Sequence, residues 1–123
     1  MTTDAGIDLV AYSPVRRQPV TIQVKANLRP KPGGGKGKLV LDWWLREDSP
    51  AQLVALVDLE SERVWLFWHE EVAKVAQQRS SGRFHFYVYT DEAPKSKDGG
   101  LSTRVRDFDD YLIHNRMLEI FGV

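Results

Sequence analysis

An α+β fold, a mostly antiparallel central sheet with a few flanking helices, is the class this sequence predicts. Three observations carry it. Residues 19–25 and 84–89 alternate apolar and polar side chains with period two. Two further β-prone stretches, 53–59 and 63–68, are separated only by Glu60-Ser61-Glu62, short enough for a hairpin. Helical spacing is confined to segments 69–79 and 107–121. A chain of 123 residues with 42% hydrophobic content is long enough to bury one core, so a single domain over 1–123 is expected.

Taken in order, residues 7–12 are apolar and β-prone, and Ser13-Pro14-Val15-Arg16-Arg17-Gln18 reads as a turn into the alternating strand 19–25. Residues 29–38 hold two prolines and the run Gly33-Gly34-Gly35, which argues for a basic loop without regular structure. Leu39-Val40-Leu41 resumes an extended run, and Asp42-Trp43-Trp44-Leu45 is a strand end or one helical turn before Ser49-Pro50. Val72, Val75 and Ala76 give 69–79 a helical stripe, and 83–90 is a further strand. Residues 92–102 form a second loop. The closing helix, 107–121, has an apolar stripe that slips phase around His114 to Arg116.

The absence of cysteine removes any disulfide framework or thiolate metal site, and no apolar run approaches the length of a membrane span, so a cytoplasmic protein without a membrane partner is expected. Net charge is zero but unevenly spread. Residues 1–41 carry seven basic side chains, Arg16, Arg17, Lys25, Arg29, Lys31, Lys36 and Lys38, against Asp4 and Asp8, a local +5. Such a segment either neutralises phosphates along DNA or is a solvated basic loop.

If strands 7–12 and 19–25 pair antiparallel with Tyr12 opposite Pro19, the numbers of every facing pair sum to 31 and Asp8 faces Gln23. Lys25 projects from the same face as Gln23, while Ile22 and Val24 point into the core. A carboxylate, an amide oxygen and an ammonium then converge. Asp8, the Gln23 side-chain oxygen and the Val24 backbone carbonyl suit a hard cation such as Mg²⁺ or Mn²⁺, and Lys25 suits charge stabilisation on a phosphate. The same residue types also make an ordinary solvated strand face.

The run Gly6-Ile7-Asp8-Leu9-Val10 followed by Val20-Thr21-Ile22-Gln23-Val24-Lys25 resembles the signature of the PD-(D/E)XK nuclease superfamily, a Gly-x-Asp strand followed by a Glu-or-Gln-x-Lys strand. It looks most like bacterial domains of uncharacterised function that carry Gly-Ile-Asp and Gln-Val-Lys. The order of Asp42-Trp43-Trp44-Leu45, Leu53-Val54-Ala55-Leu56-Val57-Asp58 and Val64-Trp65-Leu66-Phe67-Trp68 is similar too. The resemblance implies a restriction-endonuclease-like fold and a metal-dependent nuclease acting on DNA. Asp8 would be the metal-binding aspartate, Gln23 the variable acidic position and Lys25 the catalytic lysine. Arg16, Arg17, Arg29, Lys31, Lys36 and Lys38 are the candidates for phosphate contacts.

Two departures stand out. Gln23 occupies a position that is glutamate in many active members, which leaves the site one negative charge short. The helix expected before the Gly-x-Asp strand, often the source of a further glutamate, is missing, since only Met1 to Ala5 precede Gly6. A C-terminal helix supplying Asp109, Asp110 or Glu119 is one substitute. A sheet face left bare points to a homodimer. The alternative function is a catalytically inactive nuclease-fold module that binds nucleic acid or protein. An unrelated α+β domain would leave Asp8 and Gln23 not facing one another.

Other patterns carry less. His69-Glu70-Glu71-Val72-Ala73 has alanine where a zinc-protease helix needs its second histidine, and residues 33–38 lack the phosphate-loop spacing. Trp43, Trp44, Trp65 and Trp68 are expected mainly in the core rather than stacked on bases.

Overall fold

The computed structural model describes residues 6–33, 38–90 and 104–123. Among the described residues eight strands build two sheets. The first has the order β1 (Leu9–Tyr12), β2 (Pro19–Asn27), β5 (Leu53–Asp58), β6 (Arg63–Trp68); the second has the order β3 (Lys31–Gly33), β4 (Lys38–Arg46), β8 (Arg83–Tyr89), β7 (Gln78–Ser80). The second sheet is antiparallel throughout. The first is mixed, because β2 pairs in parallel with β5 while β1–β2 and β5–β6 are antiparallel. The expected single, mostly antiparallel sheet is therefore corrected to two, with the chain crossing into the second sheet through β3 and β4 before returning as β5. Among the described residues no helix is long and apolar enough to cross a membrane.

The first sheet bears a core on each face, centred on β5 and β6, while β1 is largely exposed. On one face, Val54, Leu56, Trp65 and Phe67 meet Leu41, Trp43, Leu45, Phe84, Phe86 and Val88 of the second sheet. Val72 of helix α1 (His69–Val75) and Val105 and Phe108 of a 3₁₀ helix (Val105–Tyr111) close this core. On the other face, Ile22, Leu53, Ala55 and Leu66 lie under Ile120 and Phe121 of helix α2 (Ile113–Phe121). Double burial explains why β5 reads as a continuous apolar run without alternation.

The single helix expected over 107–121 is broken. Leu112 is extended (φ −57°, ψ 139°) and bridges to Trp65 on β6, the edge strand of the first sheet. The segment before it packs in the core between the sheets, and the segment after it packs on the opposite face. One straight helix cannot serve both faces, so the chain turns around the β6 edge at Leu112. This is the origin of the phase slip. α2 covers part of the sheet face expected to lie bare, while Leu9, Val10 and Tyr12 of β1 stay exposed.

Three further expectations change. β4 is one nine-residue strand through Asp42, Trp43 and Trp44, with no helical turn. The helix expected over 69–79 stops at Val75, and Gln78–Ser80 becomes edge strand β7. Part of the expected basic loop is strand β3, which pairs Lys31 with Val40 and Gly33 with Lys38. Pro32 is tolerated because β3 is an edge strand. A Cβ at Gly33 would lie 2.4 Å from Val40 Cγ1, so only glycine fits this close pairing. The loop expected at 92–102 lies outside the described residues.

Candidate active site

The β1–β2 ladder runs Leu9↔Ile22, Val10↔Thr21, Ala11↔Val20, Tyr12↔Pro19, the expected register. It changes at Asp8. The Asp8 N–H donates to the Ile22 carbonyl at 2.9 Å, although Ile22 is already the partner of Leu9. Asp8, just before β1, and Leu9 thus both lie against Ile22 of β2, a bulge-like step that re-aims the Asp8 side chain. Asp8 is consequently not level with Gln23, which corrects the expected facing pair and is the arrangement expected of an unrelated α+β domain. Its carboxylate still reaches the Gln23-Val24-Lys25 stretch, where Oδ2 accepts the Val24 N–H at 2.8 Å. A strand residue directs its N–H and C=O to the same side, so the Val24 carbonyl leaves β2 on the Asp8 side as well.

Gly6 starts this arrangement. It is buried with φ +78°, and a Cβ there would sit 3.0 Å from Pro50 Cδ. Both the left-handed backbone and the close approach of Pro50 call for glycine, a physical reason for the Gly in Gly6-Ile7-Asp8.

Gln23 pairs with Val54 and Lys25 with Leu56, so both side chains lie on the face turned toward the second sheet. Gln23 is buried, where a solvated face was the simple expectation, and its Oε1 accepts the Ser49 hydroxyl at 3.2 Å. Lys25 is half-buried and makes no ion pair or side-chain hydrogen bond among the described residues. Two residues on, Asn27 donates to the Asp42 carbonyl at 2.7 Å and ties β2 to β4. Between these strands opens a cavity of about 210 Å³ lined by Gly6, Gln23, Lys25, Arg46, Asp48, Ser49 and Pro50. Asp8 stands beside it rather than in its lining.

Arg46, Asp48 and Ser49 are contributors that sequence reasoning missed. Arg46 ends β4 and grips Asp48 through Nε–Oδ1 at 3.0 Å and Nη2–Oδ2 at 3.1 Å, with both side chains largely solvent-exposed. The local signal was the charged run Arg46-Glu47-Asp48 directly after an apolar strand. Its proximity to Gln23 rests on the crossover between sheets, which no local pattern encodes.

The expected basic residues are dispersed. Arg16 is exposed and donates to the Glu119 carbonyl at 2.7 Å near the end of α2. Arg17 is exposed in the β1–β2 turn, at the opposite end of the hairpin from Asp8, roughly 14 Å away along the strand. Arg29 and Lys31 are exposed just beyond the Lys25 end of β2, Lys38 is half-buried at the start of β4, and Lys36 lies outside the described residues. The substitute carboxylates do not reach the site. Glu119 pairs with Arg116 on the face covered by α2, and Asp109 and Asp110 sit at the far edge of the sheet from β1.

Among the described residues no three His, Cys, Asp or Glu side chains gather as a metal-binding group. The donors present are one carboxylate, one amide oxygen and one main-chain carbonyl. They are hard oxygens of the kind Mg²⁺ and Mn²⁺ accept, and the Asp8 Oδ1 and a lone pair of the Gln23 Oε1 remain beyond the two bonds described. The set fits a cation that keeps most of its water.

No family model matches the chain, and no curated protein matches it. Among solved structures, the chain is similar to that of a bacterial homing endonuclease, I-Ssp6803I, at 16% identity and a TM-score of 0.46, covering 95% of this chain and 74% of that one.

Proposed function

We propose that the chain is a metal-dependent nuclease domain of the PD-(D/E)XK kind that hydrolyses DNA phosphodiester bonds at the cavity between β2 and β4. The observation that carries the reading is Lys25. Its ammonium forms no ion pair among the described residues, and it lines a cavity with the Gln23 amide, Arg46 and Asp48, beside the Asp8 carboxylate. A half-buried lysine without a partner costs desolvation and gains nothing structurally, so a phosphate that brings its own negative charge supplies the missing partner.

Asp8, Gln23 and the Val24 carbonyl would hold Mg²⁺ or Mn²⁺, which when bound supplies Lewis-acid polarisation of the phosphate and a more acidic water. The chain's own residues do the rest. Lys25 stabilises charge on a non-bridging phosphate oxygen and orients the attacking water. The Ser49 hydroxyl fixes the rotamer of Gln23, and the Val24 N–H fixes that of Asp8.

A second reading, an inactive nuclease-fold module for nucleic-acid or protein binding, draws on the same two hydrogen bonds, since each occupies an oxygen that a cation would use. Plasmid relaxation separates the two. Nicking of supercoiled DNA in Mg²⁺ or Mn²⁺ that stops with chelator is the expected result; intact plasmid in both ions at saturating protein would select the inactive module.

A further inference from the structure

Beyond the cavity, the outward face of the second sheet displays a ladder of aromatic and cationic side chains. Trp44 and His85 are cross-strand partners whose rings stack at 4.2 Å with an interplanar angle of 2°. The Arg83 guanidinium also lies over the indole, 4.9 Å from its centroid. Tyr87 continues the row 5.4 Å from His85, and Tyr89 follows 6.0 Å from Tyr87. Trp43, Trp65 and Trp68 pack in or against the two cores, but Trp44 is 40% exposed. The large area a tryptophan buries predicts a core position for all four, and the fold sets Trp44 apart.

The ladder is rigid on one side and loose on the other. His85 is braced through Nε2 to Asp42 Oδ2 at 2.9 Å and through Nδ1 to Gln78 Oε1 at 3.2 Å, so the ring stacked on the indole cannot swing away cheaply. Arg83 is exposed and makes no ion pair among the described residues. An exposed cation–π contact is weaker than the stacking of a nucleobase on an aromatic ring. A base can therefore displace the guanidinium from the indole, and the freed Arg83 then has the adjoining phosphate as its partner. Aromatic surface to receive a base and an uncommitted cation to receive its phosphate are the two requirements of a single-strand platform. Duplex DNA offers the phosphate alone, since its bases are already stacked.

Position links this face to the cavity. Arg46, cross-strand partner of Arg83 and two residues beyond Trp44 on β4, lines the cavity at the strand end, which Lys25 and Gln23 enter from the inward side; the path from Trp44 runs roughly 7 Å along β4 to Arg46 and then around the end of the strand. We propose that Trp44, braced by His85 and accompanied by Arg83, stacks an unpaired base of DNA next to the Lys25 cavity, so that the substrate class is DNA with a single-stranded segment beside the cut. The placement of the cut rests on the nuclease reading above; the platform does not.

The test is fluorescence anisotropy of a short labelled oligothymidylate and of a duplex of equal length, with chelator present so that neither metal nor cleavage contributes. Wild type should prefer the single strand. Trp44→Ala should weaken that binding roughly tenfold or more while duplex binding changes little, and Trp44→Phe should recover most of it. Arg83→Ala should weaken binding and flatten its salt dependence. Circular dichroism checks that each variant is folded, which the exposure of Trp44 favours. Equal affinity for both DNAs, or single-strand binding that survives Trp44→Ala, overturns the proposal. Single-strand binding lost in Trp44→Ala alongside absent nicking would sustain the platform and sink only the nuclease reading.

Discussion

Lys25→Ala slows metal-dependent nicking by roughly 10²- to 10³-fold, the loss typical of removing one preorganised group that stabilises transition-state charge. Stability should change by less than about 1 kcal/mol, because Lys25 is only half-buried and the substitution breaks no ion pair or side-chain hydrogen bond among the described residues. Affinity for DNA without metal should fall only modestly, since one phosphate contact among several is lost. The separation of these effects is the informative part: a structural lysine would lower stability and leave the rate per folded molecule intact. Lys25→Arg keeps the charge but presents a planar fork in place of a compact ammonium, so it should recover binding more fully than rate. Single-turnover nicking rates with urea denaturation of the same preparations provide the check.

Arg116→Ala destabilises the fold by about 3 kcal/mol, the largest single effect expected outside the cores. Arg116 is buried at 4% exposure and joins three elements. It donates to the Leu66 carbonyl of β6 at 3.0 Å, to Glu71 of α1 at 2.6 Å and to Glu119 of α2 at 3.4 Å, and its guanidinium lies 5.1 Å from the Tyr111 ring centroid. Glu71 in turn accepts the Trp68 N–H at 2.7 Å at the start of α1. Removing the arginine strands the Leu66 carbonyl and leaves Glu71 without its main counter-charge, the costly way to break such a pair. Burial opposes the Arg116 charge, but hydrogen bonding and attraction from Glu71, with Glu119 adding to both, outweigh it and raise its pKa. A raised base contributes stability that is complete below its unfolded pKa and is lost only as pH climbs through the folded value. For arginine that window is strongly alkaline, so deprotonation of this group does not weaken the fold near neutrality. Urea denaturation at neutral pH measures the loss, and Glu71→Gln, which keeps an acceptor and removes the charge, should cost less than Arg116→Ala.

What the sequence disclosed follows from which interactions are local. The β1–β2 register was legible because a six-residue turn and period-two alternation leave few pairings. The β5–β6 hairpin and β8 were legible for the same reason. Parallel pairing of β2 with β5 was not, since it depends on a crossover whose ends are far apart in sequence; the unalternating run Leu53-Val54-Ala55-Leu56-Val57 was the available clue. The break at Leu112 was visible only as a phase slip, and its cause, two cores on opposite faces of one sheet, lies in the tertiary structure. At the site, Gln23 and Lys25 were placed on one face by parity alone. The bulge at Asp8 escaped, because it depends on the buried Gly6 lying against Pro50, and the inclusion of Arg46 and Asp48 in the cavity escaped with it. Trp44 and Trp43 are adjacent in sequence, yet one faces solvent and the other the core; the alternation was present, but which face was covered required the partner sheet.

In the proposed function, Asp8 and its neighbours on β2 form a divalent-cation site serving phosphodiester hydrolysis. Calorimetric titration of Mg²⁺ and of Mn²⁺ into wild type and Asp8→Ala detects such a site independently of cleavage. One weak site is predicted, in keeping with a donor set of a single carboxylate, and it should vanish in Asp8→Ala and tighten in Gln23→Glu, which restores the missing charge. No heat of binding at millimolar ion, or a site unchanged by Asp8→Ala, would rule out a cation site at Asp8.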